Sequence, residues 1–530
     1  MKKRSRLDGG ISREEYNAAE MRTEIELSPF QGEKGQYPDN TDRSTFSFGA
    51  KKSAHSTNLT KSQQYSRNVL ALNDSFCQIL HAQLHKNPTS SWEDNMREYL
   101  HFLREIKLKL GSQCGKILTF GSGDCGQLAH GVDEDDDMIV MYPRVVQRLA
   151  DISISFISCG GLHTAAISVD GSVYTWGCND DGALGRNGEE NFPAKVSGFG
   201  PLEKHQAIQA VAGDCHTLAL TSSGEVFTWG CYKDKEGKLW CDAPNAGKAF
   251  KNKQTEPVLI HGLEDISDVR CGSCFNLART SCGTVFSWGL GEQGQLGRKA
   301  DLNMKNEHDK YDTKLVFDQH LTPARVTLGT ESLSDVKTMG CGAYHSLFVV
   351  GGNGYLYACG LNNYGQLGIG NTCNSSDLAL VEDLVAHNVM QVEGGTHHSA
   401  VLTVGGEVYT FGRGDSGQLG MLDECTSGNY KDRPQKVVMD PKAKNTYITS
   451  ISCGSNHAIA LSKDNQVFSW GYGDMMALGN GRDEDELKPK KIDSSKFDSG
   501  GMNIIQAEAG GQHSALLLAP ISPPSIEFCA

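Results

Sequence analysis

Long hydrophobic runs are missing from this 530-residue sequence. No stretch approaches the roughly eighteen apolar residues that a membrane-spanning helix needs, so no membrane partner is expected. The basic start, Met1-Lys2-Lys3-Arg4-Ser5-Arg6, has no apolar stretch behind it and does not read as a secretory signal. Proline is scarce, with 15 residues against 60 glycines, which points to many tight turns rather than proline-rich linkers. Positive charge is short as well: 50 lysines and arginines face 64 acids, for a net charge of -14. So acidic a body suits a basic protein surface better than bare nucleic acid. Nucleophile-elbow Gly-x-Ser-x-Gly and metalloprotease His-Glu-x-x-His patterns are both missing. A covalent enzyme, a resident cofactor and a metal centre are therefore not expected. Several of the 17 cysteines, among them Cys159, Cys271, Cys341 and Cys453, recur at repeat positions, which reads as small buried thiols of a reducing, intracellular compartment.

What fills the sequence is repetition. One motif is an apolar strand ending in aromatic-Gly, usually followed by a loop and Gln/Ala-Leu-Gly. It runs from Leu118-Thr-Phe-Gly121 through Val173-Tyr-Thr-Trp-Gly177, Val226-Phe-Thr-Trp-Gly230 and Val285-Phe-Ser-Trp-Gly289. Leu356-Tyr-Ala-Cys-Gly360, Val408-Tyr-Thr-Phe-Gly412 and Val467-Phe-Ser-Trp-Gly471 complete the series. The other motif, small-Gly-x-x-His before an apolar strand, starts at Cys159, Ala212, Cys271, Cys341, Gly394, Cys453 and Ala509. Its histidines are His163, His216, His345, His398, His457 and His513, with Phe275 in the third place. Tight turns such as Val169-Asp-Gly171 and Ser222-Ser-Gly224 join the two motifs as hairpins.

Four short strands per repeat, seven times over, predict an all-β, seven-bladed β-propeller. The repeats open on the first motif and finish on the second, so one blade must be closed by strands from both ends. The expected organisation is a disordered tail with a basic start over 1–60, a helical extension over 61–112, the propeller over 113–520 and a tail over 521–530. In the extension, Val69, Leu72, Phe76, Ile79 and Leu80, then Trp92, Met96, Tyr99, Leu100, Leu103, Ile106 and Leu110, keep helical spacing. Residues repeated seven times are fold determinants, with the histidines expected to bond backbone inside the blade; function belongs to the exceptions.

Several apparent chemical motifs dissolve into the repeat. Gly121-Ser-Gly-Asp-Cys-Gly126 matches the dinucleotide fingerprint in letters, but strands rather than a helix follow it. Cys271-Gly-Ser-Cys274 has no second pair at zinc spacing.

Over residues 117–519 the alternating motifs resemble the regulator of chromosome condensation repeat. The likeness is sharpest to the nuclear guanine nucleotide exchange factors for the small GTPase Ran within that family. After Gly230 the usual loop gives way to Cys231-Tyr-Lys-Asp-Lys-Glu-Gly-Lys-Leu-Trp240, which is similar to the segment opening the family's β-wedge. An insertion after Arg298 matches an extra family loop, and Cys341-Gly-Ala-Tyr344, Gly360-Leu-Asn-Asn-Tyr364 and Gly481-Arg-Asp-Glu-Asp485 match further segments. Clusters of tryptophan and arginine, which the family's ultraviolet-B photoreceptor needs, are lacking.

The resemblance implies an exchange factor without covalent chemistry, serving nucleocytoplasmic transport and mitotic spindle and nuclear assembly. It implies GTPase contacts at Asp124, Asp214 and His397 and on the wedge at Lys233, Asp234, Gly237, Lys238 and Leu239. It further implies a nucleus-located, chromatin-associated protein with nucleosome or histone partners, and weak DNA contact through Lys2, Lys3, Arg4 and Arg6. Where the family has Asn-Asp-His this chain has Ser273-Cys274-Phe275, so one acidic contact is lost or moved. The 299–321 loop offers lysines and acids but no arginine, which weakens the implied histone contact. The alternative is a non-catalytic propeller scaffold for protein–protein interaction.

Overall fold

The computed structural model describes residues 115–519, apart from 132–137, 202, 242–251, 301–314, 422–428, 443–445, 498 and 500. The expected tails, the helical extension and the basic cluster of Lys2, Lys3, Arg4 and Arg6 lie outside the described residues. The chain divides into two units, Met1–Lys86 and Asn87–Ala530, and the account below concerns the second.

Each copy of small-Gly-x-x-His links the first two strands of an antiparallel sheet, and the glycine of the other motif falls at or next to the end of the third strand. Blade 1 comprises Ile154–Cys159, His163–Ser168, Val173–Gly177 and Ala194–Lys195. The first strands of blades 2 to 6 are Ala207–Ala212, Ile266–Cys271, Val336–Cys341, Val389–Gly394 and Ile448–Cys453. Blade 7 joins Asn503–Ala509 and His513–Ala519 to Lys116–Ser122 and Ile139–Val145, in that order across the sheet. The predicted seven blades and closure by both ends are thus what the chain forms. Ile139–Val145 and Gln254–Leu259 form the outer edges of blades 7 and 2.

The repeated residues are mostly joints between blades. The indole N–H of Trp176, Trp229 and Trp470 donates to the carbonyl of Gln127, Ala183 and Gln418 in the preceding blade, at 2.9, 2.7 and 3.1 Å. The same carbonyls of Gln127 and Ala183 accept the hydroxyls of Thr164 and Thr217. Both tryptophans and carbonyls are buried, so these bonds satisfy groups that water cannot reach.

The histidines differ from expectation. Their Nε2 atoms meet a side chain of the next blade, not backbone of their own: His163 to Thr217 (2.8 Å), His216 to Asn276 (2.7 Å), His345 to Ser399 (2.8 Å) and His457 to Ser514 (2.9 Å). His513 meets Thr164 at 2.9 Å and carries this belt across the closure. The reason is room: each ring folds back over the glycine of its own motif, leaving Nε2 aimed along the circumference.

Around the axis a second ring closes completely. Backbone N–H groups donate to the next blade at Gly161→Gly213, Asp214→Ser273, Ser273→Ala343, Ala343→Gly395, Thr396→Ser455, Ser455→Gly510 and Gly511→Gly160. At Gly160, Gly213, Gly272, Gly342, Gly395, Gly454 and Gly510 a Cβ would stand less than 3.0 Å from the next blade's carbonyl. Glycine is therefore dictated by close approach of backbone to backbone, not by turn geometry. This annulus frames a shallow cavity of about 150 Å³ at the mouth of the axis.

Candidate functional site

In an antiparallel blade the loop joining the first and second strands and the loop joining the third and fourth emerge on the same side. Asp214 and His397 lie in loops of the first kind, in blades 2 and 5; Asp124 and the segment 231–240 lie in loops of the second kind, in blades 7 and 2. The sequence-predicted candidates therefore share one face. They do so on loops within blades.

The segment after Gly230 forms a two-stranded finger, Tyr232–Lys233 paired antiparallel with Leu239–Trp240. Its tip is exposed at Lys235, Glu236, Gly237 and Lys238. Asp234, expected as a partner contact, is buried and serves the finger itself. Its carboxylate accepts the N–H of Glu236 (3.0 Å), the N–H of Lys238 (2.9 Å) and the indole N–H of Trp240 (2.8 Å). Such a bracket fixes a tight turn from one side chain. Gly237, with a φ of 78°, completes that turn, and the Lys238 ammonium lies 3.7 Å from the Trp240 ring centre. Lys233 approaches Asp181 of blade 1 at 3.7 Å, and that carboxylate holds its pKa above the usual lysine value.

Beneath the finger, Tyr232, Trp240, Leu290, Val316 and Leu321 form a small apolar core. The last two belong to a helical turn, Val316–Leu321, contributed by the insertion after Arg298. The insertion thus props the finger. Arg298 is itself buried, donating to the Ser287 hydroxyl and to the carbonyls of His320 and Thr322. Burial lowers its pKa to about 10.

Asp214 stands on the annulus at the axial mouth, where surrounding protein raises its pKa while the Ser273 hydroxyl pulls it back. His397 is stacked against Tyr344 (6.5 Å between ring centres) and tilted against Tyr364 (5.2 Å). Arg413 lies over the other ring of this group, Tyr364, and is gripped by Asp415 through two 2.8 Å bonds. Burial and the Arg413 charge lower the His397 pKa to about 4, so it is neutral near pH 7. Asp124 is exposed and shares its surroundings with Asp180, Glu190 and Cys125, whose thiol is pushed up chiefly by burial and also by these acids. A second acidic arc on blades 5 and 6 holds Asp415, Asp474 and Asp485. The face is acidic, with the lysines of the finger in its midst.

Residues 116–516 match the model of the RCC1-like domain. The chain belongs to the RCC1-like family. Mouse "Regulator of chromosome condensation" is 32% identical over 76% of this chain and 90% of its own length. "Guanine nucleotide exchange factor SRM1" of Saccharomyces cerevisiae is 30% identical over 75% of this chain and 86% of its own. Among solved structures, Prp20p of Saccharomyces cerevisiae, described with its binding to Gsp1p and histones, is 28% identical. It aligns with a TM-score of 0.66 over 77% of this chain and 92% of its own.

Within this RCC1-like face, sequence reasoning missed Asp181, Asn276 and Arg413. Each acts on a residue of another loop, and no motif announces such a pairing. It did single out Cys274 as a departure, and the structure shows its use: the thiol donates to the Lys233 carbonyl (3.3 Å) and accepts the Lys233 N–H (3.4 Å).

Proposed function

We propose that this chain is a guanine nucleotide exchange factor for a Ran-type small GTPase, acting at chromatin in the nucleus. The observation that carries the reading is the finger at 232–240, an exposed turn on a braced base. It is set on the same face as Asp214, His397 and Asp124. Relatives named as an exchange factor and as regulators of chromosome condensation support it.

Exchange of this kind needs no bond making. A factor that binds the empty GTPase more tightly than the loaded one must, by linkage, weaken nucleotide binding by the same factor. Each tenfold gain in release corresponds to about 1.4 kcal/mol of such differential binding. The annulus fixes the backbone of Asp214, and of Thr396 just before His397, so little ordering is left to occur on docking. The acidic arcs attract a basic GTPase surface, and the finger supplies a backbone turn, Gly237 and Lys238 to compete where the nucleotide phosphates sit. Such an activity serves nucleocytoplasmic transport and spindle and nuclear assembly.

The test is release of a fluorescent GDP from Ran. Asp214→Ala and His397→Ala should each slow release by about tenfold, and replacing 234–238 by two glycines by about a hundredfold or more. Unchanged rates in all three would reject the reading. Chromatin association is assigned to Lys2, Lys3, Arg4 and Arg6, because the buried Arg298 is not available to a histone surface. Removing residues 1–10 should abolish nucleosome capture at physiological salt and leave GDP release unchanged. Retained capture would move the contact elsewhere.

A further inference from the structure

Two departures from the repeat, one in blade 2 and one in blade 3, meet in space. The residue after the motif histidine is Thr164, Thr217, Ser346, Ser399, Ala458 or Ser514 in six blades, and Asn276 only in the blade beside the finger. Its carboxamide lies 2.7 Å from His216 Nε2 and 2.6 Å from the Tyr232 hydroxyl. One amide orientation gives all of these groups a partner. The N–H donates to His216 Nε2, while the oxygen accepts from the Tyr232 hydroxyl and from the Trp288 indole N–H at 3.1 Å. Asn276, Tyr232, His216 and Trp288 are all fully enclosed, so a lost partner leaves a buried polar group unpaired. A serine or threonine here could serve His216 but is too short to serve Tyr232 as well. The Cys274 thiol holds both backbone groups of the adjacent Lys233.

We propose that Asn276 and Cys274 are positioning residues which latch the base of the finger to the ring. Through them the finger is tied by Tyr232 and Lys233 to the histidine belt, and it meets its partner already oriented. Phe275 belongs to the same change. With no histidine at that place the belt skips the step from blade 3 to blade 4, and the ring of Phe275 packs over Gly272 in its stead.

The latch can be read without any partner, by hydrogen–deuterium exchange on the full chain. Asn276→Ser installs the hydroxyl other blades carry, so it keeps a partner for His216 while releasing the Tyr232 hydroxyl and the Trp288 indole N–H. Tyr232→Phe removes only the hydroxyl, and Cys274→Ala removes the thiol, with Cys274→Ser as the conservative control. The amides of peptides covering 232–240 should exchange at least about tenfold faster in Asn276→Ser and Cys274→Ala, with the inner strands unchanged. Cys274→Ser should return most of the protection. Unchanged exchange over 232–240 would overturn the proposal. So would equal acceleration throughout the ring, since the pair would then hold the blade rather than the finger.

The kinetic arm rests on the exchange-factor reading. A loosened finger is competent for only part of the time, so the Ran concentration at half-maximal rate should rise about tenfold while the saturating rate changes less than about threefold. GDP release from Ran that is indifferent to the wild-type chain would sink the exchange-factor reading and leave the hydrogen-exchange result standing. A wild-type chain that is active, with latch variants that bind and release like it, would overturn the latch.

Discussion

His398 is the histidine that the belt leaves out. Its Nε2 and Nδ1 have no hydrogen-bond partner although the ring is buried, and the residue that should receive it in blade 6 is Ala458. In the other complete steps that place holds a hydroxyl or an amide, as at Ser399 and Ser514. A buried polar atom without a partner costs about 1–3 kcal/mol, and a satisfied bond contributes about 1 kcal/mol. Ala458→Ser should therefore raise stability by about 1 kcal/mol, read as a higher urea midpoint with an unchanged slope. No gain, or a loss, would show that the site lacks room for the hydroxyl. The sequence displays both residues in plain repeat positions, but not that they face one another. That requires knowing that each histidine short of the closure reaches forward some 54 to 60 residues to the next blade.

Among the elements, the finger at 232–240 was legible as an exception and opaque as a structure. Its break with the repeat is visible in the sequence, and Lys233, Gly237 and Lys238 are exposed on it. Asp234 looked like one more polar contact because polarity alone does not say which way a side chain points. Buried, and already accepting two backbone N–H groups and an indole N–H within 3.0 Å, this carboxylate has most of its acceptor sites taken by the finger itself. The support from Asn276 lies 44 residues away from Tyr232 in sequence, and that from Val316 and Leu321 farther still. Contacts of that range leave no periodicity to read. The insertion after Arg298 illustrates the same limit: its start is spent on a buried arginine that stands in for hydrogen bonding a longer fourth strand would supply. Blade 1 does likewise, where Arg186 donates to the Thr175 and Phe192 carbonyls beside the two-residue strand Ala194–Lys195.

For the molecule as a whole, the seven-fold plan and its closure followed from the repeats, because each blade's motifs are fixed by the same joints to its neighbours. The chemical consequence of repetition is cumulative. His163, His345, His398 and His513 are lowered to about 3, and His216, His397 and His457 to about 4, in every case first of all by burial. Below the ordinary histidine value of 6.5 the unfolded chain takes up protons that the folded chain refuses, so stability falls as pH drops from 6.5 towards 4. Each histidine contributes up to about 1.4 kcal/mol per pH unit in that window. Glu508 on the axis works the other way. Burial, helped by Glu393, raises it to about 8, so the folded state keeps a proton that the unfolded state gives up. Burial raises Asp214, Glu393 and Asp485 as well, but seven histidines outweigh these carboxyls, and the net prediction is acid lability beginning well above the carboxylate range. Urea midpoints measured between pH 7 and 5 should fall steadily, with a proton uptake on unfolding of several per molecule. His345→Phe should be less stable at pH 7, having lost its bond to Ser399, yet should show a shallower pH dependence by about one proton. Phe275 shows that the ring accommodates phenylalanine at this place. An unaltered slope in that variant would mean that the belt histidines are not the groups that titrate.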